Sequence, residues 1–118
     1  MTAGLLSLLI ASALGGLAGP DDRSARIDLT VGEAYTVQAV AVSGHAASGT
    51  YTLVVERVGA AGRSRSQQGG AFEMAAGERT LSTSSVNVAP GDSLRTELTI
   101  TWADGVVTED RVHVTGQP

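Results

Sequence analysis

The chain has 118 residues with no Cys and no Lys, and its eight Arg face twelve Asp and Glu for a formal charge of −4. That length holds one small domain. The lack of Cys excludes a disulfide framework, a thiol nucleophile, an iron–sulfur cluster and a Cys-based zinc site, and net acidity without a basic stripe argues against a nucleic-acid binder.

All twenty charged residues lie at Asp21 or beyond, so Met1 to Pro20 is chemically separate. Leu5 to Leu17 is an apolar run of signal-peptide length that ends in small residues. Gly16-Leu17-Ala18 puts small side chains at the −3 and −1 positions of a cleavage site after Ala18, and Ala11-Ser12-Ala13 offers a second site after Ala13. No Lys or Arg precedes the run. Gly4, Gly15, Gly16, Gly19 and Pro20 are poor material for the ~20-residue apolar helix that spans a bilayer. The reading is a signal peptide at residues 1–18, followed by one exported domain at residues 19–118 with no stable membrane association.

From Ile27 onward, apolar and polar residues alternate with period 2. Ile27, Leu29 and Val31 oppose Asp28 and Thr30. Tyr35, Val37, Ala39 and Ala41 alternate with Thr36, Gln38, Val40 and Val42. Tyr51, Leu53 and Val55 alternate with Thr52, Val54 and Glu56. Gly59 to Gly70 is the longest stretch of low hydrophobicity, read as a mobile loop or a ragged edge strand. Ala71 to Arg79 has room for one short helical turn. Leu81, Val86 and Val88 mark Ser/Thr-rich strand material. Leu94, Leu98, Ile100 and Trp102 share a face opposite Arg95, Glu97, Thr99 and Thr101. Val112 and Val114 then oppose Glu109, Arg111 and His113. β-Branched and aromatic residues in this pattern suit a half-buried pleated surface. Asp104-Gly105 supplies a hairpin turn, and Pro90-Gly91 another. Seven short strands with a turn every 8–12 residues predict an all-β, seven-stranded immunoglobulin-like sandwich.

Chemically, little stands out. His45 and His113 have no third ligand at a metal-binding spacing, and Ser82, Ser84 and Ser85 lack the setting of a nucleophile. Glu109 and Asp110 point to opposite faces of a strand and cannot converge on a substrate. No catalytic machinery and no cofactor or metal site is expected. Arg63 and Arg65, flanked by Ser64, Ser66, Gln67 and Gln68, are the densest positive charge. They read either as a solvated basic loop or as a docking point for an acidic or amide-rich extended chain, whose groups match guanidinium donors.

Ala34-Tyr35-Thr36-Val37, the strand Tyr51 to Val58, the run Leu81 to Leu94, and Leu98 to Trp102 followed by Asp104-Gly105 appear in an order that resembles the curli-inhibitor family of bacterial periplasmic proteins, the CsgC/CsgH type. The resemblance covers about 80 residues of turn-and-strand pattern, in keeping with a small sandwich. Enteric members carry a Cys-x-Cys pair where this chain has Ala47 and Gly49, so any shared activity here is non-redox. Their basic surface is partly matched by Arg57, Arg63, Arg65 and Arg79, which become the candidate client-binding residues. The resemblance implies a periplasmic, monomeric, chaperone-like factor that transiently engages a curli amyloid subunit and prevents premature fibre assembly. The alternative is an exported adhesion module for a surface protein or glycan, using a Ser/Thr face such as Ser82, Ser84 and Thr99.

Overall fold

The computed structural model describes residues 22–116, and the signal-peptide reading of residues 1–18 falls outside them. Seven strands follow in order: β1 Ser24–Val31, β2 Tyr35–Ser43, β3 Ala47–Gly59, β4 Gly62–Met74, β5 Gly77–Val86, β6 Ser93–Trp102 and β7 Val107–Thr115. They form two antiparallel sheets, β1-β2-β5 and β4-β3-β6-β7. The all-β sandwich expected from the sequence is therefore the fold. Its fourth strand bonds to β3 and not to β5, which makes the second sheet four strands wide.

The alternation explains the layering. Ile27, Leu29, Val37, Ala39, Ala41, Leu53, Leu94, Leu98, Ile100 and Trp102 all turn into the space between the sheets and are buried, while Arg95, Glu97 and Thr101 face solvent. Trp102 is the largest fully buried side chain. Its indole N–H donates to Thr108 Oγ1 at 3.0 Å, and Phe72 meets it edge to face with ring centroids 5.5 Å apart. Arg23 lies 5.4 Å over the Trp102 ring and forks onto both oxygens of Asp104 at 3.0 and 2.9 Å. That pairing holds the Asp104 carboxyl below its ordinary range. The β6–β7 hairpin closes through Gly105, whose φ of 92° is the left-handed conformation that an Asp-Gly turn requires.

Two expectations are refined. Gly59 to Gly70 is not a loop: it contains a tight reversal at Ala60-Ala61 and then the start of β4, a 13-residue edge strand paired with β3 without a register shift. Ala71 to Arg79 holds no helical turn. It is strand on both sides of a short reversal at Ala75-Ala76, where Gly77 adopts a φ of 122°.

On the outer face of the three-stranded sheet, Arg26 pairs with Asp28 at 2.8 Å and reaches Glu78 at 2.8 Å. Val40 lies between Arg26 and Thr80 in the strand register and is only 2% exposed, although it points away from the core. The Arg26 stem covers it, which is how a long charged side chain buries apolar surface while its head stays wet. Hydrogen bonding to Arg26 lowers the Glu78 pKa, and Glu78 and Asp28 together raise that of Arg26.

Candidate functional site

β4 has β3 on one side only, so its other side is a free row of backbone donors and acceptors. Its sequence, GRSRSQQGGAFEM, is exposed from Gly62 to Ala71 except for half-buried Gln68. Arg63 and Arg65 alternate with Ser64 and Ser66, so the two guanidinium groups share the outer face of the sheet.

The register extends that face into a charged surface. Arg65, Glu56, Arg95 and His113 stand in line across β4, β3, β6 and β7, and Gln67, Val54, Glu97 and Arg111 form the next row. Arg63 Nε lies 3.7 Å from Glu56 Oε2, and Arg111 sits 4.0 Å from Glu97 and 3.8 Å from Glu109. Arg65 and Arg95 have no acidic partner within ion-pair distance among the described residues. Exposed pairs at 3.7–4.0 Å hold little energy in water, so the cations remain available to a partner.

The other two candidate arginines lie elsewhere. Arg57 faces inward on β3 and donates to Asp92 Oδ2 at 3.4 Å. Asp92 is buried and also accepts from the Ala89 backbone N–H at 3.0 Å. Gly59 makes room for it, since a Cβ there would collide with the Asp92 carboxylate. Arg57 is thus partly occupied in holding the β5–β6 turn, though it also lines a groove of about 430 Å³ with Ser64, Arg65, Ser66, Ser85 and Asn87. Arg79 stands on β5 in the other sheet and lines a shallow depression of about 890 Å³ with Phe72, Glu73 and Trp102. The structure therefore groups Arg63 with Arg65, brings Arg57 to the groove beside them, and leaves Arg79 apart. Arg95, Arg111 and His113 join the face only through strand register, which the sequence does not display.

The histidines are accounted for locally. His45 Nδ1 lies 3.3 Å from Asp22, and His113 Nε2 lies 3.0 Å from Ser93 Oγ. At Gly49 an added Cβ would lie 2.5 Å from the Thr101 carbonyl and 3.0 Å from Trp102 Cα. The packing beside Trp102 leaves no space there for a side chain.

The family model described as CsgH protein matches residues 26–112. The solution structure of CsgH from R. palustris is similar with a TM-score of 0.64 and 25% identity, covering 76% of this chain and 90% of that one. The E. coli curli protein CsgC has a TM-score of 0.67 at 18% identity, over 75% of this chain and 96% of that one. The Bacillus subtilis sporulation control protein Spo0M shares the fold at a TM-score of 0.50 and 13% identity, over 81% of this chain and 49% of that one. No curated protein matches the sequence.

Proposed function

The chain belongs to the CsgH family, and on that premise we propose that it is a periplasmic, chaperone-like inhibitor that keeps a curli subunit from assembling into amyloid before secretion. The observation that carries the reading is β4: a 13-residue, unguarded polar edge beside a face with available guanidinium groups. Amyloid grows by adding chains to open strand edges. A small sandwich offering such an edge competes for those chains by transient backbone pairing, while Arg63 and Arg65 draw acidic or amide-rich segments toward it. Binding alone changes nucleation kinetics, so the activity needs no catalysis, nucleotide, metal or thiol. Arg57 and Arg79 are secondary contacts, the first because Asp92 shares it, the second because it lies on the other sheet.

The test is to mix the purified mature protein with an amyloid-forming curli subunit and follow fibre growth. The expected result is a longer lag well below equimolar ratio, unchanged by reductant or chelator. Arg63→Ala/Arg65→Ala should weaken inhibition, and so should added salt, which screens exposed charge. A lag unchanged at equimolar ratio overturns the reading, and a stable stoichiometric complex without any lag effect favours the adhesion module.

A further inference from the structure

We propose that β4 is also the site of reversible self-association, in which two copies pair β4 to β4 about a two-fold axis at Gly69 and join their sheets into one of eight strands. This goes beyond the inhibitor reading and does not depend on it, because it is measured with no client present.

A long free edge is a template for another strand, and proteins normally blunt it with charged side chains, Pro, a bulge, a short length or a covering segment. Of these β4 has only charges, and they are of both signs. It runs 13 residues, contains no Pro and keeps continuous register with β3. Its outer face carries three charges: Arg63, Arg65 and Glu73. Arg63 already stands near Glu56. Arg65 and Glu73 have no ion-pair or hydrogen-bond partner among the described residues, and they lie four positions on either side of Gly69.

That spacing is self-complementary. In an antiparallel pair, directly opposite residues point to the same face. With Gly69 opposite Gly69 of the second copy, Arg65 of each chain stands across from Glu73 of the other, so the pair forms twice, and Gln67 meets Ala71. Gly69 itself must be small for a separate reason, since a Cβ there would lie 2.6 Å from the Tyr51 carbonyl. At the axis it leaves the two backbones unobstructed. Shifting the axis to Gln68 would instead set Arg63 against Glu73 and leave Arg65 facing Ala71. Shifting it to Gly70 matches no opposite charges. The Gly69 register is the one that uses both unpaired charges and leaves Arg63 with Glu56. The monomer expected from the sequence is then the low-concentration limit of a weak dimer.

Sedimentation velocity of the purified protein at low salt, from micromolar to millimolar concentration, tests this. Average mass should rise from one chain toward two. Arg65→Glu and Glu73→Arg should each weaken association at least ~tenfold, because two attractive cross-strand pairs become repulsive. Both side chains are exposed, so neither substitution disturbs packing. An equimolar mixture of the two variants should recover association as a heterodimer, since every Glu then faces an Arg. A mass that stays at one chain at millimolar concentration overturns the proposal. So does association that neither substitution weakens, or a mixture that fails to recover it.

Discussion

The two flanks of the sandwich are built on opposite principles. On one, β1 lies over β6 and β7, and the space between the sheets is filled by Ile27, Leu29, Leu98, Ile100 and Val112. The edges of β1 and β7 are tied together: Asp110, buried on β7, accepts the Ile27 backbone N–H of β1 at 2.8 Å. On the other flank, β4 and β5 barely touch. Their facing residues are Ser64, Ser66 and Gln68 against Ser82 and Ser84, joined by a Gln68–Ser84 hydrogen bond of 2.7 Å. A sandwich has four edges to protect. This one seals two against each other, leaves two open, and carries Arg63 and Arg65 on the open side. Apolar packing is concentrated on one flank and the proposed recognition edge lies on the other, so substitutions should separate the two.

The largest expected effect is at the closed end. Trp102→Ala removes the biggest buried side chain, its bond to Thr108 and its contact with Phe72. A loss of about 3–5 kcal/mol is expected, enough to unfold much of a domain this small, and denaturant unfolding measures it. A loss below about 1 kcal/mol would mean that the core is not centred on this flank.

The next effect tests the tie itself. Asp110→Ala strands the Ile27 N–H in a buried place, at a cost of about 1–3 kcal/mol. Asp110→Asn keeps an acceptor for that N–H but removes the titration. Burial is the main cause raising the Asp110 carboxyl above its ordinary 3.8, opposed by the Ile27 and Arg111 backbone N–H groups. A raised acid takes up its proton in the folded state first, so its contribution to stability grows as pH falls from neutral and is complete below about 3.8. Glu78 runs the other way: its lowered pKa makes the Arg26 clamp a contribution that is lost on acidification. The stability of the parent minus that of Asp110→Asn should therefore rise as pH drops toward 4, measured by unfolding at a series of pH values. A flat difference would place Asp110 in water.

These flanks were unequally legible in the sequence. The closed one is written in period-2 apolar runs, because a strand with one dry face must alternate, and Leu94 to Trp102 reads directly as the strand it is. β4 has water on both faces over most of its length, so its alternation is between Arg and Ser, and Gly59 to Gly70 looked equally like loop. What makes it a strand is backbone bonding to β3 across the Ala60-Ala61 reversal, which leaves no apolar side-chain signature. The Arg65–Glu56–Arg95–His113 row is hidden for the same reason, since it exists only once three registers are set. Asp110 was placed on the correct side of its strand opposite Glu109, but its burial depends on β1 landing over β7. Arg63 and Arg65 stood out because only Ser64 separates them in sequence. Asp92 and Arg57, 35 positions apart, could not be seen as a pair.

The smallest expected effect lies on the open flank and is the sharpest test of its character. Ser82 Oγ is buried with no hydrogen-bond partner, although Ser84 beside it on the same face has Gln68. A buried hydroxyl without a partner contributes nothing through hydrogen bonding and has lost its hydration, so deleting it should not cost stability. Ser82→Ala also keeps the Cβ and leaves only a small void in a region with little apolar packing to disturb. The expected change is within about 0.5 kcal/mol of zero, neutral or slightly stabilising, in contrast to the loss at Asp110→Ala. Chemical denaturation of the two variants side by side measures both. If Ser82→Ala were to cost about 1 kcal/mol or more, the hydroxyl would be hydrogen-bonded in solution, the β4 and β5 edges would be joined by more than the Gln68–Ser84 contact, and the open flank would be less free to receive a strand than its geometry implies.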